Sequence, residues 1–153
     1  LKPLADELNI TVVPELDENL PLLNIDEDKV ERLLLNLVDN AIKYSPTNSE
    51  IHIRAYPMDD EIIRVDVLDN GPGVPDDYKT TLFDSFVQIE GRRNVRRGVG
   101  LGLSFCKLVV DAHHGKIWVE DNQPTGSIFA FTLPVAKINP LEGDSKTQNV
   151  NFL

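Results

Sequence analysis

The stretch Asp26-Glu-Asp-Lys-Val30-Glu-Arg-Leu33-Leu-Leu-Asn36-Leu-Val-Asp-Asn40-Ala-Ile-Lys43-Tyr44 decides the fold. Asp26 is a helix N-cap type, and Glu27 and Asp28 suit the positive end of the helix dipole. Apolar residues fall at Val30, Leu33, Leu34, Leu37, Val38 and Ala41, the spacing of one buried helical face. Asn36, Asn40 and Lys43 follow at i, i+4 and i+7, so they share one edge of the helix, within roughly 60° of one another. That edge borders the apolar face, where an amide can hold a ligand without being lost to bulk water. The same residues also suit a solvated polar edge of an amphipathic helix.

Outward from this helix, Ser45-Pro46-Thr-Asn-Ser ends it and two strands follow, Ile51 to Pro57 and Ile62 to Asp69. Period-2 alternation puts Ile63, Val65, Val67 and Asp69 on one face, so an acid continues a core-facing row and needs hydrogen bonds there. Two readings are open: a turn Asp held by nearby backbone amides, or an acceptor for a ligand. Gly71 and Gly73 follow in Asp69-Asn-Gly-Pro-Gly73. The stretch from about 76 to 98 is read as irregular. Gly98-Val-Gly100-Leu-Gly102-Leu then opens a helix predicted from Leu101 to His113, with Gly115 just past it as the left-handed residue. Strands at Lys116 to Asp121 and Ser127 to Pro134 close the domain, and a short strand at Asn9 to Val13 opens it. From Val135 the chain is polar and aperiodic, so residues 1–135 read as one domain and 136–153 as a tail or linker. Two antiparallel pairs among unevenly alternating helices favour an α/β two-layer sandwich over a doubly wound sheet.

The chain has 153 residues and a net charge of −10, which argues against nonspecific nucleic-acid binding. An exception to that acidity is Arg92-Arg93-Asn-Val-Arg96-Arg97, with four of the fifteen basic residues. No apolar run approaches a membrane span, and no membrane contact is expected from this segment. The opening, Leu1-Lys-Pro-Leu-Ala, reads as a chain entered partway, which leaves a membrane-bound parent open. The single Cys106 lies in an apolar helical pattern and is read as core packing in a reducing, cytoplasmic compartment.

Four motifs occur in fixed order: Asn36 to Tyr44, Asp69 to Gly73, Phe83-Asp-Ser-Phe86, and Gly98 to Leu103. Together they resemble the N, G1, F and G2 boxes of the ATP-binding domain of sensor histidine kinases. That domain belongs to the superfamily of gyrase, the heat-shock chaperones and the mismatch-repair ATPases. The resemblance implies the Bergerat fold, a mixed, mostly antiparallel sheet covered on one face by helices. It implies ATP and Mg²⁺ as cofactors, with Asn40 on the metal, Lys43 on a phosphate, Asn36 near the transferred group and Tyr44 bordering the nucleotide. Asp69 would accept a hydrogen bond from the adenine amino group, with Gly71 and Gly73 allowing close approach to the ring. Gly98, Gly100, Leu101, Gly102 and Leu103 would form the phosphate loop, and Arg97 is the best phosphate candidate in an ATP lid from about Phe83 to Val99. Phe83 and Phe86 would anchor that lid. Ser127 stands where the family's closing element has threonine, and His114 where glycine is common.

Asn36 bears on the reaction. Members that hydrolyse ATP usually carry Glu four residues before the metal-binding Asn, and a neutral amide is no general base. None of His52, His113 and His114 sits on a helical hairpin followed by an acid, so none fits as phosphoacceptor. The resemblance therefore implies the ATP-binding half of a two-part enzyme. Its partners would be a dimerisation domain bearing the acceptor histidine and a downstream response regulator, and the isolated domain is expected to be monomeric. An ATP-hydrolysing conformational clamp and a noncatalytic nucleotide-sensing module are the alternatives.

Overall fold

A computed structural model describes residues 2–89 and 101–137. The elements run α1 (Lys2–Leu8), β1 (Thr11–Leu16), α2 (Glu27–Tyr44), β2 (Glu50–Pro57), β3 (Ile62–Leu68), α3 (Asp76–Lys79), α4 (Gly102–Ala112), β4 (Ile117–Asp121) and β5 (Ser127–Pro134). One sheet has the order β1-β2-β3-β5-β4; the β1–β2 pair is parallel and every other pair antiparallel. This is the expected two-layer sandwich with a mixed, mostly antiparallel sheet. The expected strand at Asn9 instead starts at Thr11, because Asn9 takes a left-handed turn (φ 52°) between α1 and β1. The stretch read as irregular contains the one-turn helix α3.

α2 forms as its sequence dictates. The Asp26 carboxylate accepts the Lys29 N–H at 3.1 Å, and Val30, Leu33, Leu37, Val38, Ala41 and Ile42 are buried. They meet Ile51, Ile53, Ile63, Val65, Val67, Phe129, Phe131 and Leu133, the alternate residues of β2, β3 and β5, in one core that α4 closes with Cys106, Val109 and Val110. Burial pushes the Cys106 thiol up to about 12, so it stays protonated as a packing group. The opposite face of the sheet is polar. Arg64 bonds Asp66 at 2.7 Å and Glu120 at 3.1 Å, and its guanidinium stacks 5.0 Å from the Trp118 ring. Tyr56 donates to Asp66, and Trp118 donates to Glu120.

α4 ends in a way the sequence misassigns. His114, not Gly115, takes the left-handed conformation, at φ 57°. The Gly115 N–H bonds Val110 O and the His114 N–H bonds Asp111 O, both at 3.0 Å, the pair of bonds that closes a helix with its left-handed residue one place earlier. Glycine is needed at 115 for another reason: a Cβ there would lie 2.1 Å from Thr132 O. His113 ties this end of α4 to the start of α2. Its Nε2 accepts the Asp26 N–H at 2.9 Å and its Nδ1 faces Val109 O at 2.7 Å, which fixes a neutral ring with the proton on Nδ1.

Candidate functional site

α2 carries one wall of the site. Asn36, Asn40 and Lys43 are half-buried along its edge, and Tyr44 at its last position is exposed. Lys43 is not isolated: its ammonium pairs with the Asp39 carboxylate one turn back. Asp39 was not foreseen as part of this edge.

The second wall is built around Asp69, which is 4% exposed at the end of β3. Its Oδ1 accepts two backbone amides, Gly71 N–H at 2.8 Å and Ser127 N–H at 3.1 Å. Both sequence readings of this acid are therefore compatible, since backbone amides hold it in place beside the helix edge. Its main chain is held as well, by Asp69 N–H to Ser127 O at 2.9 Å and by Asn122 Nδ2 to Asp69 O at 2.8 Å. Thr125 Oγ1 donates to Gly71 O at 3.0 Å. Glycine is required at 71 because a Cβ would stand 2.8 Å from Tyr44 O; this contact joins the end of α2 to the Asp69 turn. Gly73 belongs to the same cluster, where an added Cβ would sit 3.4 Å from Gly126 O.

The start of α4 faces the other end of the α2 edge. A Cβ on Gly102 would lie 3.5 Å from Asn36 Oδ1. Among the described residues no side chain caps α4 at Leu101, and helix starts of this kind can offer their first amides to phosphate. Leu101 is exposed, while Leu103 packs against the core and fixes the helix start. Arg97, Gly98 and Gly100 lie outside the described residues, as do Arg92, Arg93 and Arg96.

Among the described residues no group of three or more His, Cys, Asp and Glu side chains could hold a metal ion. A single amide such as Asn40 instead fits a cation that keeps its waters and takes its remaining ligands from a polyphosphate, the habit of Mg²⁺.

The two F-box phenylalanines differ in their surroundings. Phe83 is buried and meets Phe129 edge to face, with centroids 6.4 Å apart. Phe86 is 70% exposed, on a left-handed backbone at φ 66°, and most of the lid it was expected to anchor lies outside the described residues. Three residues escaped sequence reasoning: Asp39, Asn122 and Thr125. The last two sit in what reads as a plain strand connection, and only the β3–β5 register brings them onto Asp69. The i, i+4 spacing of Asp39 and Lys43 was visible in the sequence.

An acid clamped beside one helix edge and an open helix start at its other end are the parts of a nucleotide site. The chain belongs to the family described as histidine kinase-, DNA gyrase B-, and HSP90-like ATPase, which matches residues 25–137. It is 38% identical over 127 residues to the adaptive-response sensory kinase SasA of Synechocystis sp., covering 83% of this chain and 33% of that one. The catalytic domain of histidine kinase ThkA superposes with TM-score 0.74 at 33% identity, covering 87% of this chain and 85% of that one. ThkA in complex with response regulator protein TrrA gives 0.71 at 31% identity, covering 88% and 37%. Full-length ShkA in complex with AMPPNP gives 0.77 at 29% identity, covering 91% and 28%. The chain thus spans about a third of the length of the curated relatives it matches. No helix among the described residues is long and apolar enough to cross a membrane.

Proposed function

We propose that this chain holds Mg–ATP so that its γ-phosphoryl group faces a histidine on a separate dimerisation domain, as the catalytic part of a two-component sensor kinase. The observation that carries this reading is the continuity of the α2 edge. One end touches the Asp69–Gly71 turn through Tyr44 O, and the other touches the start of α4 through Asn36 and Gly102.

Along that edge the roles follow from chemistry. Asp69, immobilised by backbone amides, accepts from the adenine amino group, beside Ser127 and under the glycines at 71 and 73. Tyr44 borders the nucleotide. Lys43 and the first amides of α4, with Gly98, Gly100, Leu101, Gly102 and Leu103, receive phosphate oxygens, and Arg97 joins them. Asn40 would hold Mg²⁺, which when bound neutralises phosphate charge. Asn36, unable to act as a base, orients the terminal phosphoryl group without activating water. The contribution is positioning and charge neutralisation, and the attacking imidazole comes from elsewhere. Residues 1–135 form the ATP-binding domain and 136–153 a tail, of which residues 138–153 lie outside the described ones. A response regulator takes the phosphoryl group onward, in the cytoplasm, and the isolated domain is monomeric.

Calorimetric titration with a nonhydrolysable ATP analogue, with Mg²⁺ and then with chelator, tests the reading. Asn40→Ala should abolish most of the Mg²⁺ dependence. Asp69→Asn should weaken ATP by about tenfold or more, since the carboxamide can turn a donor toward the adenine amino group. Wild-type behaviour in both variants would refute the assignments.

A further inference from the structure

Arg32 lies four residues before Asn36, on the same row of α2 as the proposed ligand edge. Its guanidinium carbon stands 4.6 Å from the centroid of Phe105. Phe105 is one turn into α4 from Gly102, so two contacts run side by side across the helix pair: Gly102 beside Asn36, then Phe105 beside Arg32. Cys106 Sγ, 3.6 Å from Leu33 O, keeps α4 against this part of α2.

The company Arg32 keeps sets it apart from the other described arginines. Arg54 pairs with Glu15, and Arg64 with Asp66 and Glu120. Asp28 is the i, i+4 acid that helix geometry offers Arg32, in the favourable order of acid before base. The guanidinium nevertheless rests on a ring, and among the described residues no carboxylate lies within 4.0 Å of it. A ring face fixes the plane of a guanidinium while leaving its N–H donors at the edge for an oxyanion.

The direction of the nucleotide follows from the proposed function, on which this inference rests. The base belongs at Tyr44 and Asp69, and the phosphates run back along α2 toward Asn36 and the start of α4. Arg32 is the next residue on that line, about 6 Å further along the helix axis. We propose that Arg32 contacts the γ-phosphate, so that it discriminates triphosphate from diphosphate. Phe105 is its positioning residue.

The test compares the 153-residue chain with Arg32→Gln and Arg32→Lys, each titrated with a nonhydrolysable ATP analogue and with ADP in the presence of Mg²⁺. Arg32→Gln should lose about fivefold in affinity for the triphosphate, as expected for a partly exposed charge-assisted contact. Its affinity for ADP should stay within about twofold, and Arg32→Lys should recover part of the loss. Phe105→Leu should narrow the ATP-to-ADP ratio in the same direction. An equal loss for both nucleotides, or no loss for either, overturns the proposal while leaving the site reading intact. Failure of the unsubstituted chain to bind either nucleotide overturns both. Arg32 is exposed, so thermal melting of the Gln and Lys variants should be unchanged, and a lowered melting temperature would mark a structural role instead.

Discussion

Gly126→Ala is the sharpest perturbation of this site, although residue 126 is itself assigned no contact with the nucleotide. A Cβ there would stand 1.9 Å from Asp69 O, 2.7 Å from Asp69 C and 2.9 Å from the Cα of Asn70. To reach ordinary contact the two turns would have to separate by about 1.5 Å. The Ser127 N–H to Asp69 Oδ1 bond, now 3.1 Å, would not survive that movement. The backbone adds its own cost, since φ at 126 is +113°, outside what an L side chain adopts readily. Taking about 1–3 kcal/mol for the backbone and about 1–3 kcal/mol for the clash, less about 0.5–1 kcal/mol for a stiffer unfolded chain, the loss is about 1–5.5 kcal/mol, centred on about 3. That should lower the melting temperature by roughly 10 °C. Nucleotide affinity should fall too, because Asp69 loses one of the two amides that aim it. Gly102→Ala is the control. Its Cβ would meet Asn36 Oδ1 at 3.5 Å, ordinary contact, and alanine should favour the helix, so stability should hold or rise by up to about 1 kcal/mol. Urea unfolding of both variants decides the matter. Gly126→Ala with unchanged stability would refute the close approach of the two turns, and with it the account of how Asp69 is held.

Three further outcomes are expected. Asp39→Asn releases Lys43 from its carboxylate; affinity for the ATP analogue should rise about two- to threefold with a stability loss under about 1 kcal/mol, and a fall in affinity would show that Asp39 positions the lysine instead. His114→Gly should stabilise the fold by about 0.5–1 kcal/mol in urea unfolding, because it removes a left-handed non-glycine residue, and a loss would mean that the imidazole contributes more than its backbone costs. The hydrogen bond from Trp118, helped by Arg64, holds the Glu120 carboxyl below its usual 4.5, so this stabilisation is complete above that value and is lost as pH falls through the depressed one. Emission from Trp118, the single tryptophan, should follow that acid transition, and Glu120→Gln should remove it.

The sequence made the helix edge and the sheet readable because both rest on local periodicity. α2 was legible to within a residue, since its cap, its apolar row and its terminating Ser45-Pro46 all act at short range. Asp69 was legible as an anomaly, a charge in an apolar row. What held it was not, because Asn122 and Ser127 lie more than fifty positions away and only strand register joins them to it. The helix end near Gly115 shows a subtler failure. Propensity assigned the left-handed place to the glycine, yet a close backbone contact with Thr132 claims that glycine and the histidine before it takes the turn. Phe86 was assigned by motif alone, and nothing in its neighbours' pattern says whether its ring is inside or out.

The helix-free face of the sheet imposes its own limit. Ala130 is fully buried there, with Trp118 and Asp66 as its partners on either side. Arg64 and Trp118 stack across the strand that bears it, so the alanine methyl is roofed by a cation and an indole. Any larger side chain at 130 would pry that roof open and unseat the bonds to Asp66 and Glu120 together. A position that reads as an unremarkable strand residue is thereby confined to the smallest side chains by neighbours that are polar rather than apolar.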